Sequence, residues 1–211
     1  MSERPLIGVI DYGMGNRRSV EKALERAGAR ATLSAERDRL SSCRGLVLPG
    51  VGAFPEGMRR LRELQLAGVI RAAVDRCVPL LGVCLGMQLL FERSEELGGG
   101  EGLGLLGGEV RHLRADGLRL PHIGWTDVAF EAPSVLSRGL PEAGCPFYHV
   151  HSLAAHPSDP GDVLGSARYG ERFAAIVGRD RVFGVQFHPA KSSQHGLRML
   201  AGFVGLCAAS G

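Results

Sequence analysis

Val78-Pro79-Leu80-Leu81-Gly82-Val83-Cys84-Leu85-Gly86-Met87-Gln88 decides the reading of this chain. The apolar run Val78 to Val83 has the composition of a buried strand, and helical spacing takes over from Leu85 to about Glu95. The same alternation extends toward the N-terminus. Strands are expected at Leu6 to Ile10, Ala31 to Leu33 and Gly45 to Leu48. Helices are expected from Arg17 to about Ala27 and through Met58, Leu61, Leu64 and Val69. This βαβα series implies an α/β fold, a mostly parallel central sheet flanked by helices, with ligands at the carboxyl ends of its strands.

The texture changes at residues 98–108, a glycine-rich stretch that reads as a flexible connection. Beyond it come additional strands in the C-terminal half: Glu109 to Leu113, Ile123 to Phe130, Phe147 to Leu153, Ala174 to Val177 and Val182 to Phe187. A last helix is expected from about Gln194 to Leu206. Nothing resembling a linker cuts the chain, so residues 1–211 are read as a single domain.

A net charge of +3, with Lys and Arg scattered, leaves no electrostatic footprint for nucleic acid. The apolar run after Met1 to Pro5 is too short for a signal core or a membrane span, so a cytoplasmic protein with no membrane contact is expected. Five widely spaced cysteines without a CxxC pair suggest neither a disulfide framework nor a zinc site. The pair His149 and His151 alternates onto one face in the manner of a metal site. With no third ligand in view, no metal is expected there.

Cys84 stands at a strand-to-helix junction with glycines two residues to either side. Such a turn exposes the side chain at its apex, while the following helix start favours a thiolate and offers the Leu85 N–H to an oxyanion. A buried cysteine at a tight turn is the bland alternative. Pro49-Gly50-Val51-Gly52 follows another strand, and Val51 is placed to supply a second N–H at the same sheet end. His188, past the strand Val182 to Phe187, is placed to take the thiol proton and return it to a leaving amine.

Six segments in this order, Asp11 to Asn16, Leu48 to Phe54, Gly82 to Phe91, Pro121 to Trp125, Val150 to Ser152 and Gln186 to Pro189, resemble the class I, triad-type glutamine amidotransferases. More narrowly they resemble the glutaminase subunits of imidazole glycerol phosphate synthase, over nearly the whole chain. The resemblance implies that Cys84 attacks the side-chain amide of L-glutamine, that His188 is base and acid, and that Val51 and Leu85 form the oxyanion hole. It places Gly50, Gly52, Gln88, Glu96, His151 and Ser152 around the substrate, and Asn16, His122 and Trp125 toward a (β/α)8-barrel cyclase subunit that receives the ammonia. Taken alone, Trp125 reads better as a core residue. The reaction calls for no cofactor and no metal.

Two positions depart from the family pattern. After the catalytic histidine the family has Pro-Glu-Lys-Ser, whereas this chain has Pro189-Ala190-Lys191-Ser192. Ala190 cannot hold the His188 ring or stabilise its charged form, so slowed turnover is expected. Three explanations remain open: a substitution disabling an otherwise active enzyme, another carboxylate in its place, or a non-catalytic glutamine-binding or regulatory subunit. Thr126 stands where the family usually has Asn, at the cost of one interface hydrogen bond. Among other enzyme classes, a dinucleotide site fails because Arg18 occupies the third glycine position after Gly13 and Gly15. An α/β-hydrolase is disfavoured by the Pro-Gly-Val-Gly loop and by Gln88.

Overall fold

The structure is a computed structural model that describes residues 4–209, so both ends of the unit expected over 1–211 lie outside the described residues. Its first half holds β1 (Leu6–Ile10), α1 (Arg17–Arg26), β2 (Arg30–Ser34), α2 (Arg37–Ser41), β3 (Gly45–Leu48), α3 (Phe54–Glu63), α4 (Leu66–Asp75), β4 (Leu80–Val83) and α5 (Leu85–Gln88). The second half is mainly strands: β5 (Arg93–Ser94), β6 (Gly100–Glu101), β7 (Gly108–His112), β8 (His122–Phe130), β9 (Cys145–His151), β10 (Leu153–Pro157), β11 (Val163–Tyr169), β12 (Glu171–Arg179) and β13 (Val182–Val185). The long helix α6 (Ser193–Ala208) follows.

Five strands run parallel in the order β2-β1-β3-β4-β13. From β13 the sheet continues antiparallel through β12, β10 and β7, while β11, β8 and β9 branch from β12. Alternate residues of the parallel strands serve opposite faces, as the pleat requires. Ile7, Val9, Val47, Leu81 and Val83 pack with Leu24 of α1 and with Met199, Leu200 and Phe203 of α6. Ile10, Leu46, Leu48 and Leu80 pack instead with Leu40, Met58, Leu61 and Ile70 of α2, α3 and α4. Each large apolar side chain fully buried this way contributes roughly 1.5–3 kcal/mol. No helix among the described residues is long and apolar enough to cross a membrane.

The structure corrects several expectations. The helical spacing through Met58 and Val69 belongs to two helices, broken at Gln65, whose φ is 56°. The helix after Cys84 stops at Gln88 rather than Glu95. Leu89, Leu90 and Phe91 continue the apolar run but turn inward, and the carbonyls of Leu89 and Leu90 accept from Leu103, Leu105 and Leu106. Those bonds tie the middle of residues 98–108, expected as a flexible connection, to the core, where Leu103 and Leu106 are buried. A Cβ on Gly102 would lie 2.2 Å from the Phe91 carbonyl oxygen, so glycine is needed there for close packing. The short polar helix α2 and the strands β10 and β11 lack a strong periodic signal and were not expected.

Candidate active site

The fold brings three strand ends together. Pro49-Gly50-Val51-Gly52 leaves β3, Cys84 leaves β4 and His188 follows β13, and these strands are adjacent and parallel. Cys84 has φ 55° and ψ −113°, the strained apex that the flanking glycines permit. A Cβ on Gly86 would lie 1.7 Å from the Leu48 carbonyl oxygen, and one on Gly82 would lie 2.6 Å from that of Gly86. Only glycines let β3, β4 and the start of α5 approach so closely.

The Cys84 thiol is 6% exposed and opens onto a cleft of about 270 Å³. Val51, Gly52, Leu85, Gln88, Glu96, Pro121, His151, Ser152, His188 and Lys191 share that cleft. Burial pushes the thiol up to about 11, opposed by the Leu85 N–H, the Lys191 charge and the Gln186 amide. The Sγ lies 3.8 Å from the Val150 carbonyl oxygen and receives the Gln186 Nε2 at 3.8 Å. Gln88 is buried behind it, donating to the Leu153 carbonyl at 3.3 Å and to Gln186 Oε1 at 3.1 Å. Glu96 accepts the Phe54 backbone N–H at 2.7 Å, which fixes its carboxylate at the cleft wall. Tyr12, fully buried, donates its hydroxyl to the Pro49 carbonyl at 2.6 Å and so anchors the loop carrying Val51.

His188 is held by its backbone. Its N–H donates to the Tyr148 carbonyl at 2.9 Å, and its own carbonyl accepts the Ser192 hydroxyl at 2.8 Å. Burial, then the Lys191 charge, lowers its imidazole to about 4. The charge acting on this ring is therefore a cation rather than a carboxylate. Ala190 lines a small cavity of about 20 Å³ with His188, Asn16, Ser19, Pro49 and Val83, where a longer side chain would reach toward the imidazole. Asn16, though exposed, thus lines the same cavity as His188.

On β8 the residues alternate. Ile123 and Trp125 point outward at 59% and 53% exposure, so Trp125 is a surface residue and not part of the core. His122, read as facing the partner, instead turns inward at 2% exposure. Its register partner on β9 is His151. Sequence spacing left His149 and His151 as a pair, but the cross-strand register brings a third imidazole beside them: His122 Nδ1 lies 3.2 Å and His149 Nδ1 3.3 Å from His151 Nε2. Thr126, on the inner side of β8, meets His122 Nε2 at 2.8 Å. Burial lowers all three imidazoles, His149 to about 2 and His151 to about 4, with the neighbouring rings adding to the shift at both.

Sequence reasoning passed over Gln186 and Lys191 as site residues. Gln186 stands two residues before His188, and that spacing is the signal that finds it.

The description "Glutamine amidotransferase class-I" fits residues 8–206 as a family. The imidazole glycerol phosphate synthase subunit HisH of Geobacillus kaustophilus is 48% identical over 98% of this chain and 99% of its own length. That of Moorella thermoacetica is also 48% identical, over 93% of both chains. Among solved structures, PurLQS from Thermotoga maritima superposes with a TM-score of 0.79 at 19% identity, over 97% of this chain and 99% of that one. A crystal structure of a glutamine amidotransferase gives 0.74 at 23% identity, over 95% and 98%. Those two likenesses speak for the fold. The long HisH alignments, together with the joined ends of β3, β4 and β13, place this chain in the class-I glutamine amidotransferase family and, within it, among the HisH subunits.

Proposed function

We propose that residues 1–211 act as one cytoplasmic glutaminase unit, with Cys84 as nucleophile, and pass ammonia to a (β/α)8-barrel cyclase for imidazole glycerol phosphate formation. The observation that carries this reading is the strained Cys84 apex opening onto the cleft that it shares with Leu85, Val51 and His188. His188 takes the thiol proton as Sγ bonds to the amide carbon of glutamine. The N–H groups of Leu85 and Val51 receive the developing oxyanion. His188 returns the proton to the amide nitrogen, the C–N bond breaks, and ammonia leaves a γ-glutamyl thioester. Water, deprotonated by the same imidazole, then cleaves the C–S bond to release glutamate and restore the thiol.

Glu96 offers a carboxylate suited to the substrate ammonium group, and Gly50, Gly52, Gln88, His151 and Ser152 complete the pocket. Ile123 and Trp125 on β8, and Val51 on the oxyanion loop, are exposed apolar side chains suited to a partner surface. Ala190 attenuates turnover in this reading. It also favours a second one, a subunit that binds glutamine without hydrolysing it.

Glutamate and ammonia release, measured with and without the barrel subunit carrying its ligand, separates the two. The glutaminase reading expects partner-dependent hydrolysis that Cys84→Ala abolishes. Tight glutamine binding without turnover under every condition favours the binding subunit. Hydrolysis indifferent to the partner contradicts the coupled role.

A further inference from the structure

We infer that His122, His149 and His151 form a site for one divalent transition-metal ion of the zinc class, adjoining the Cys84 cleft through His151. All three rings are buried, and one nitrogen from each lies within 4.8 Å of the others. Tetrahedral coordination with Zn–N bonds of 2.0–2.1 Å sets neighbouring ligand nitrogens about 3.3–3.4 Å apart. The two separations at His151 Nε2, 3.2 and 3.3 Å, match that edge.

The surroundings hold the rings as a ligand set requires. His151 Nδ1 faces the Leu153 carbonyl at 2.8 Å, where it can only donate, so Nε2 carries the free lone pair. Thr126 Oγ1 engages His122 Nε2 at 2.8 Å and leaves Nδ1 to face the cluster. Such partners on the far nitrogen fix tautomer and ring orientation in metal sites. His149 Nε2 is buried with no hydrogen-bond partner, so the ring's one polar contact is through Nδ1, the nitrogen that faces His151 Nε2 at 3.3 Å. A purely packing role would be filled better by an apolar ring, since Phe173 and Phe187 wall the site and Tyr169 stacks on His122 at 4.0 Å.

Strand geometry explains how the site arises. His149 and His151, two apart on β9, share one face, and the β8 register sets His122 opposite His151. Three imidazoles leave a fourth position for water or another ligand. His151 also lines the cleft beside Cys84 and His188, so a bound dication faces the base that must become imidazolium during catalysis. Metal uptake therefore inhibits the glutaminase.

The test uses the full, untagged chain carrying Cys84→Ala, titrated with Co2+ and then Zn2+. Expected is one equivalent of Co2+ with the intense visible absorption of a tetrahedral nitrogen site and no thiolate charge-transfer band. Zn2+ should displace it. His149→Phe, which keeps the ring volume, should weaken uptake about 100-fold, of the order that loss of a supporting group costs in metal sites. With Cys84 intact, Zn2+ inhibition should be reversed by a chelator and largely lost in His149→Phe. No uptake, uptake through a thiolate, or uptake unchanged in His149→Phe would overturn the site. If that variant does not fold, imidazole nitrogen NMR of the His149 parent decides: Zn2+ must shift His122, His149 and His151 together, and unshifted rings refute it.

Discussion

Ala190→Glu should raise partner-stimulated glutamine hydrolysis by about 10²–10³-fold, a magnitude that follows from the proposed nucleophile and base. The Cys84 thiol is pushed up to about 11 and the His188 imidazole down to about 4. Proton transfer between them is then uphill by about 7 pK units, or ~10 kcal/mol. A carboxylate in the cavity below Ala190 would sit near the imidazole edge. At about 4 Å and an effective dielectric near 20, the attraction for imidazolium is worth ~4 kcal/mol, some three pK units. Because the transition state holds only part of that charge, the gain in kcat falls short of the full factor.

The pH profile gives a second readout. With neutral His188 as the proposed base, the acid limb of kcat should rise from near 4 toward about 6–7 as the carboxylate raises its pKa. The assay is glutamate release at saturating glutamine with the ligand-bound barrel subunit, with thermal melting as a check on folding. A folded Ala190→Glu chain whose kcat changes less than about threefold and whose acid limb stays put would refute the reasoning.

Other outcomes follow from the same structure. His149, His151 and His188 have folded pKa values below the usual 6.5, so the unfolded chain binds more protons between that value and about 4. Stability should therefore decline as the pH is lowered through this window, by up to ~1.4 kcal/mol per pH unit for each ring, and His149→Phe should flatten the decline seen in urea titrations. Gly86→Ala forces a Cβ to 1.7 Å from the Leu48 carbonyl oxygen, so a loss of about 3 kcal/mol or more, or no soluble protein, is expected. A wild-type melting temperature would contradict the packing described. Trp125→Ala, at an exposed position, should leave the melting temperature within a degree or two but weaken barrel-subunit binding by about 10–100-fold in calorimetry.

In the parallel half of the fold β1, β3, β4 and β13 were legible because they are buried on both faces and appear as apolar runs, whereas the edge strand β2 is partly exposed. β1 and β3 fall within the limits expected from Leu6 to Ile10 and Gly45 to Leu48. Cys84 was legible because the glycines around its turn are demanded by backbone contact. Long-range pairing was not. His122 lies far in sequence from His149 and His151, and only the β8–β9 register unites them. Glycine in residues 98–108 suggested flexibility where it serves close packing under Phe91. The apolar Leu89 to Phe91 lengthened a helix that tertiary hydrogen bonds end at Gln88.

The proposed nucleophilic attack by Cys84 is tested most directly by trapping its covalent intermediate. Glutamine carrying a labelled γ-carbon is mixed with this chain and the ligand-bound barrel subunit, quenched in acid and mapped by peptide mass spectrometry. Expected is a γ-glutamyl thioester on the peptide containing Cys84, absent in Cys84→Ala together with glutamate release. Labelled glutamate formed at an undiminished rate by Cys84→Ala would contradict the assignment.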